Sequence, residues 1–166
     1  MLKVEDIYNQ IESINGWFSK EDVEIMSTLD LPQKPIILEL GTHQGRSTKA
    51  MRLLWPKADI TTVDNQVRPT ERFVKEMKIT FLFGGAGYAI PWKRKIDLLF
   101  VDDDHIYETV VEDIKRFKKW VKKGGYILFH DYYGEGVFRA VNELIGESNI
   151  TAHHTGDNSM AVWRKK

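Results

Sequence analysis

The sequence predicts an α/β fold: a mostly parallel sheet wound with helices on both faces. Three observations predict it. Short apolar runs alternate with amphipathic helical stretches through most of the chain, the pattern of successive βαβ units. The first buried run, Ile36 to Leu40, leads into a loop with glycines at 41 and 45. Five such runs end in glycine or a polar cluster: Gly41 to Gly45, Asp64, Gly84-Gly85, Asp102 to His105, and His130-Asp131. In an open parallel sheet, ligands bind outside the carboxyl ends of the strands, so this edge is where a site is expected.

Val4, Ile7, Ile11 and Ile14 fall at helical spacing and predict an N-terminal helix that ends at Asn15-Gly16. Ser19, with Asp22 three residues on, opens a second helix carrying Val23, Met26 and Leu29 on one face. Trp17 and Phe18 lie between them, suited either to staple the pair to the core or to roof a pocket. The first strand and its glycine loop are followed by a helix from Ser47 to about Leu54, stopped by Trp55-Pro56. Asp59 to Asp64 is a second strand. Thr70 caps the next helix, with Phe73, Val74 and Met77 facing inward. Ile79 to Phe83 is the third strand and Ile96 to Val101 the fourth. The strongest helical stripe follows: Tyr107, Val110, Val111, Ile114, Phe117 and Val121, with acids early and lysines late, complementing the helix dipole. Gly124-Gly125 are expected to stop it. Tyr126 to Phe129 is the fifth strand. A helix over about Glu135 to Ile145 follows, then two strands, Asn149 to His153 and Met160 to Trp163, around the turn residues Gly156-Asp157-Asn158.

At 166 residues, with no linker or repeat, the chain is expected to be one domain, with 1–33 a helical cap and 34–166 the core. No apolar run approaches roughly eighteen residues and no basic-then-apolar start is present, so neither a membrane span nor a signal peptide is indicated. Cysteine is absent, which excludes disulfides, thiolate metal sites and a Cys nucleophile and fits a cytoplasmic protein. Net charge is zero, which disfavours nucleic acid as a partner.

The stretch Glu39-x-Gly41-x-x-x-Gly45-x-Ser47 fits neither a dinucleotide fingerprint nor a phosphate loop. Asp64, 23 residues after Gly41, ends the second strand, where an acid can accept hydrogen bonds from a ribose diol or simply cap a turn. His130 and His105 are candidate general bases, with Asp131 beside them. Asp102 and Asp131, with His130 or Asp103, are an alternative set for Mg²⁺ or another divalent ion, since hard cations take carboxylate oxygens; histidine also admits a transition metal. His153 and His154 are expected on an edge strand, on the surface and away from the glycine edge. His43 is read as part of the loop backbone.

Four segments carry a resemblance: IILELGTHQGRST, TTVD, IDLLFVDDDHIYETVVEDIKRFKKWVKKGGYILFHDYY and GVFRAVNEL. They resemble class I S-adenosylmethionine (SAM)-dependent methyltransferases, and within them the group labelled methyltransferase domain family 24, which includes O-methyltransferases related to the catechol and antibiotic-sugar enzymes. The resemblance runs from about Gly16 to Trp163. It implies a Rossmann-like seven-stranded sheet of order 3-2-1-4-5-7-6 with strand seven antiparallel. It implies that Glu39, Gly41, Thr42, Gly45 and Ser47 shape the methionine end of a SAM pocket and that Asp64 meets the ribose. Gly84, Gly85 and Ala86 would lie near the adenine, and Asp102 beneath the sulfonium. The catechol-like relatives bind a metal through acids after strands four and five; here the second pair is His130-Asp131 instead of Asp-Asn or Glu-Asp. The implied activity is methyl transfer to a hydroxyl of a small molecule or sugar. Two other readings stay open: a SAM-binding protein without turnover, and a hydroxylase-like or nicotinamide enzyme on the same scaffold. The N-terminal helices suit either a cover for the pocket or a homodimer contact.

Overall fold

The computed structural model describes residues 2–84, 90–156 and 158–166. Two short helices come first, α1 (Val4–Ile11) and α2 (Lys20–Ser27). The remainder alternates: β1 (Ile36–Leu40), α3 (Arg46–Leu54), β2 (Asp59–Asp64), α4 (Glu71–Met77), β3 (Thr80–Phe83), β4 (Ile96–Val101), α5 (Tyr107–Phe117), β5 (Val121–His130), α6 (Glu135–Leu144), β6 (Ile150–Thr155) and β7 (Asn158–Arg164). Among the described residues the strands form one seven-stranded sheet, ordered β3-β2-β1-β4-β5-β7-β6. The first five are parallel; β7 runs antiparallel to both β5 and β6.

The alternation of side chains along each strand explains the two-faced core. Leu38, Leu40, Leu99, Val101, Ile127 and Phe129 point to one face and pack against α5 and α6 through Val110, Ile114, Phe117, Val137 and Val141. Ile37, Ile60, Leu98, Phe100, Leu128 and Met160 point to the other and meet α1, α2 and α3 through Ile7, Ile11, Val23, Met26 and Met51. Each such side chain, fully buried, contributes about 1.5–3 kcal/mol. The N-terminal helices therefore complete one of the two hydrophobic layers. Serine 19 caps α2 in a reciprocal box: Asp22 N–H donates to the Ser19 hydroxyl, while Ser19 N–H donates to the Asp22 carboxylate at 2.7 Å. Arg52, at the end of α3, donates to the carbonyls of Met77, Lys78, Pro56 and Ala58, tying the end of α4 to the turn before β2.

The expected end of the fifth helix is corrected. The helix stops at Phe117, a single 3-10 turn covers Lys118–Trp120, and Val121 begins a strand. Gly124 and Gly125 lie inside that strand, where the pairing with β4 slips between Ile96 and Leu98. A Cβ on Gly125 would come within 2.9 Å of the Asp97 carbonyl, so Gly125 serves a close strand crossing. Lys122 locks the crossing by donating to both oxygens of Asp97, one of which also accepts the Ile36 N–H. Helix α4 is amphipathic only weakly: Phe73, Val74 and Met77 are half-buried and none of its residues is fully buried. Strand β6 starts one residue later than expected and runs on to Thr155, and β7 extends past both of its expected ends. The expected turn residue Asp157 lies outside the described residues, as do Gly85 and Ala86.

Candidate active site

The glycine loop after β1 is held by an acid from the next strand. One Asp64 oxygen accepts the backbone N–H groups of Thr42 and His43, at 3.0 and 2.7 Å; the other accepts those of Gln66 and Val67, at 2.7 and 2.8 Å. Asp64 thus fixes two loops at once, and its four lone-pair sites are filled by main-chain donors. Gly41 has φ +92° and sits so close to the β4 end that a Cβ would lie 1.8 Å from the Asp102 carbonyl oxygen. The glycine is demanded by loop-on-loop packing at this point.

Glu39 is fully buried beneath the loop. The Ser47 hydroxyl donates to one of its oxygens at 2.6 Å and the Thr48 hydroxyl to the other. Burial raises its pKa to about 7, against the lowering effect of those hydrogen bonds. It pins the start of α3.

The ends of β4 and β5 bring four groups together. His105 Nε2 lies 3.2 Å from Asp131 and 3.7 Å from Asp102. His130 Nδ1 lies 3.1 Å from Asp102 and 3.2 Å from Asp131, and its Nε2 lies 3.3 Å from Asp22 on α2. Burial alone would lower the pKa of His130; the Asp102 charge, then hydrogen bonds to Asp102, Asp131 and Asp22, outweigh it and push it up to about 12. Burial would raise that of Asp102, but the His130 charge and then His105 hold it below the usual carboxylate range. His105 is raised, chiefly by Asp102 against the opposing effect of burial. It is held in place by α6: a Cβ on Gly136 would strike the His105 carbonyl at 2.2 Å, so the helix start lies directly on this turn.

Two cavities open here. The first, about 260 Å³, is bordered by Asn15 to Phe18, by Gly41, Thr42, His43, Arg46 and Ser47 of the glycine loop, by Asp64 to Val67, and by Asp102 to His105 and Asp131. The second, about 430 Å³, is bordered by His105, Asp131, Tyr133, Gly134, His154, Gly156, Asn158 and Ser159. Among the described residues only His105 and Asp131 border both.

Gly41, Thr42, Ser47, Asp64, Asp102, His105 and Asp131 therefore gather as expected from the strand ends. Gly45, packed under Phe73, Glu39 and Gly84 do not border the first cavity. His130, expected as a base or metal ligand, does not join the gathered residues: it is 1% exposed, borders neither cavity, and both ring nitrogens face carboxylates. The donor set that the structure assembles is Asp102, His105 and Asp131, whose ligand atoms lie within 4.8 Å of one another. Those two carboxylates and an imidazole suit a divalent cation. The aspartates at the first cavity suit a cationic sulfonium nucleoside. His154 is also corrected. It is exposed on the edge strand β6, but its ring stacks on Tyr133 at 4.7 Å and borders the second cavity. Phe18, 3% exposed, staples the helical pair to the core and also borders the first cavity, while Trp17, 72% exposed, stands at that cavity beside His43, so Phe18 fills both expected roles. Sequence reasoning missed Tyr133 and Asn158, which border the second cavity, and the contact of Asp22 with His130. Tyr133 follows the His-Asp pair directly, a signal that was present; no local signal marks the other two.

A wound sheet with a glycine loop and an acid-lined cavity at its carboxyl edge defines a class: the α/β domains of class I SAM-dependent methyltransferases. A methyltransferase domain model, family 24, matches residues 38–132, and the chain belongs to that family. A stretch of 56 residues is 43% identical to an uncharacterized protein of Acanthamoeba polyphaga mimivirus; it covers 31% of this chain and 25% of that protein, so the chain matches only about a quarter of its curated relative. Among solved structures, an rRNA methylase from Streptococcus thermophilus superposes with a TM-score of 0.69 at 11% identity, over 88% of this chain and 95% of that one. The apo structure of TDP-rhamnose 3'-O-methyltransferase of calicheamicin biosynthesis gives 0.67 at 16%, over 98% and 86%. Fibrillarin from Aeropyrum pernix, with SAM bound, gives 0.61 at 20%, over 87% and 74%. These likenesses establish the fold. No helix among the described residues is long and apolar enough to cross a membrane.

Proposed function

We propose that this chain is a SAM-dependent O-methyltransferase that acts on a hydroxyl of a small, uncharged acceptor such as a sugar, with residues 1–33 capping a core of 34–166. One observation carries the reading: two adjoining cavities meet, among the described residues, at a single pair, His105 and Asp131. Methyl transfer needs a donor and an acceptor brought in line at one point, with water excluded. SAM in the first cavity would supply a methyl group already activated on a sulfonium. Asp102, held as a carboxylate, favours that cation over the neutral product. Asp64 orders the Thr42-His43 and Gln66-Val67 segments that border the cavity. His105, oriented by Asp131 and exposed to the second cavity, takes the proton of the acceptor hydroxyl.

The three-residue donor set favours a second reading of the same step. A divalent ion such as Mg²⁺, held by Asp102, His105 and Asp131, would lower the pKa of the hydroxyl instead. An uncharged acceptor is supported by charge. Arg46 is the only lysine or arginine among the described residues bordering either cavity, and its guanidinium is engaged by the Gly16 carbonyl and the Tyr8 hydroxyl. Phosphodiester backbones want several free cations.

The test is calorimetric titration with SAM, S-adenosylhomocysteine and NAD, with and without Mg²⁺ or Mn²⁺, followed by a turnover screen on neutral hydroxyl compounds. Binding of the sulfur nucleosides and turnover abolished by His105→Gln support the reading. Preference for NAD, or sulfur-nucleoside binding with no turnover on any hydroxyl, overturns it, the latter in favour of a binding protein.

A further inference from the structure

We propose that Asp22, on the N-terminal helix α2, is a positioning residue of the site and acts through His130 on Asp102 and Asp131. His130 lies between them like a strut. Its Nε2 is 3.3 Å from Asp22, and its Nδ1 is 3.1 Å from Asp102 and 3.2 Å from Asp131. Each ring nitrogen faces a carboxylate oxygen, so the imidazole bridges α2 to the ends of β4 and β5. The ring is 1% exposed and Asp22 is fully buried. Phe18 lies nearly parallel to it at 6.2 Å and Phe100 meets it edge-on at 6.1 Å, so the strut is walled by hydrocarbon.

An aspartate that only capped a helix would need no such burial. Asp22 accepts the Ser19 N–H and hydroxyl as a cap does, yet the oxygen that does so is also the one facing His130, and its other oxygen has no hydrogen-bond partner among the described residues. The contact reaches across 108 residues of sequence. Removing one partner of a buried hydrogen-bonded set leaves the others unmet. Without the Asp22 carboxylate the ring loses one of its two anchors. Asp102 and Asp131 then lose the donor that holds them on the same side of His105. Docking of the N-terminal helices would in this way set the geometry at the junction of the two cavities.

The proposal rests on the reading of those cavities as donor and acceptor sites, and its test has one arm independent of that reading. Backbone amide hydrogen exchange is followed at Asp102 to His105 and Asp131 to Tyr133, and S-adenosylhomocysteine affinity is measured by calorimetry, in Asp22→Asn, Asp22→Glu and Ser19→Ala. Asp22→Asn is expected to speed exchange in both segments and to weaken binding about tenfold, the scale of coupling within one charge network. Asp22→Glu, which keeps the charge, is expected to recover most of both. Ser19→Ala, which removes the cap hydroxyl and leaves the strut, is expected to lower the melting temperature while leaving both readouts near wild type. Equal effects of Asp22→Asn and Ser19→Ala, or unchanged exchange in Asp22→Asn, overturn the proposal. If wild-type protein binds no S-adenosylhomocysteine, the functional reading fails and the exchange arm still decides this one. Should Asp22→Asn not fold, His130→Gln carries the same comparison from the other side of the contact.

Discussion

The carboxylate of Asp64 accepts the backbone N–H of His43 at 2.7 Å, joining the end of the second strand to the loop after the first. The same side chain serves three more amides. Replacing it by asparagine turns an NH₂ group toward a pair of N–H donors. Leaving buried donors unmet costs about 1–3 kcal/mol each. Asp64→Asn is therefore expected to lower stability in a urea melt by a few kcal/mol and to abolish sulfur-nucleoside binding in calorimetry. Hydrogen exchange should quicken at Thr42, His43, Gln66 and Val67 together; quickening at one loop alone would contradict the shared clasp.

Gly41→Ala and Gly84→Ala form a contrasting pair. The first puts a methyl group 1.8 Å from the Asp102 carbonyl at a backbone angle that L-residues rarely adopt; the second meets nothing within 4 Å among the described residues. Gly41→Ala should lose more than about 3 kcal/mol and expose the site loops to proteolysis. Gly84→Ala should melt within a few degrees of wild type. Similar melting temperatures for the two would refute the close approach.

Glu39 makes stability depend on pH. Its folded pKa of about 7 stands above the ordinary 4.5 because it is buried. The folded protein therefore keeps a proton that the unfolded chain releases between those values. The contribution is fully present below about pH 4.5, falls as pH rises, and is gone above about 7, a change of about 3 kcal/mol. Glu39→Gln mimics the protonated acid between the Ser47 and Thr48 hydroxyls. Chemical denaturation at stepped pH should show this slope flattened in the variant.

Asp113 acts in the same direction over a wider window. It is buried on α5, neither oxygen has a hydrogen-bond partner among the described residues, and burial, with the charges of Asp103 and Asp104, pushes its pKa up to about 8 from 3.8. Its contribution is lost as pH rises from about 4 to about 8. Asp113→Asn should match wild type near pH 4 and melt higher at pH 8; a lower melting temperature at pH 8 would mean that the charged form is the one the fold uses.

Much of this was legible in the sequence because it is local. Strand ends, the Ser19–Asp22 cap and the amphipathic stripe of α5 follow from neighbours a few residues apart, and the order of the sheet followed from the resemblance. The errors share one cause. Gly124-Gly125 stops a helix or kinks a strand with the same two residues, and only the pairing with β4 decides between them. His130 followed by Asp131 looks like a free base until Asp22 arrives from the other end of the chain. His154 reaches Tyr133 only through the register of the final hairpin, in which it pairs with Ser159.

The shared wall between the two cavities has a practical meaning. Tyr133, His154, Asn158 and Ser159 border only the chamber on the hairpin side. Substitutions at those four positions can therefore reshape the second chamber while the walls of the first keep their own architecture, much as a lock can be rekeyed without replacing the door.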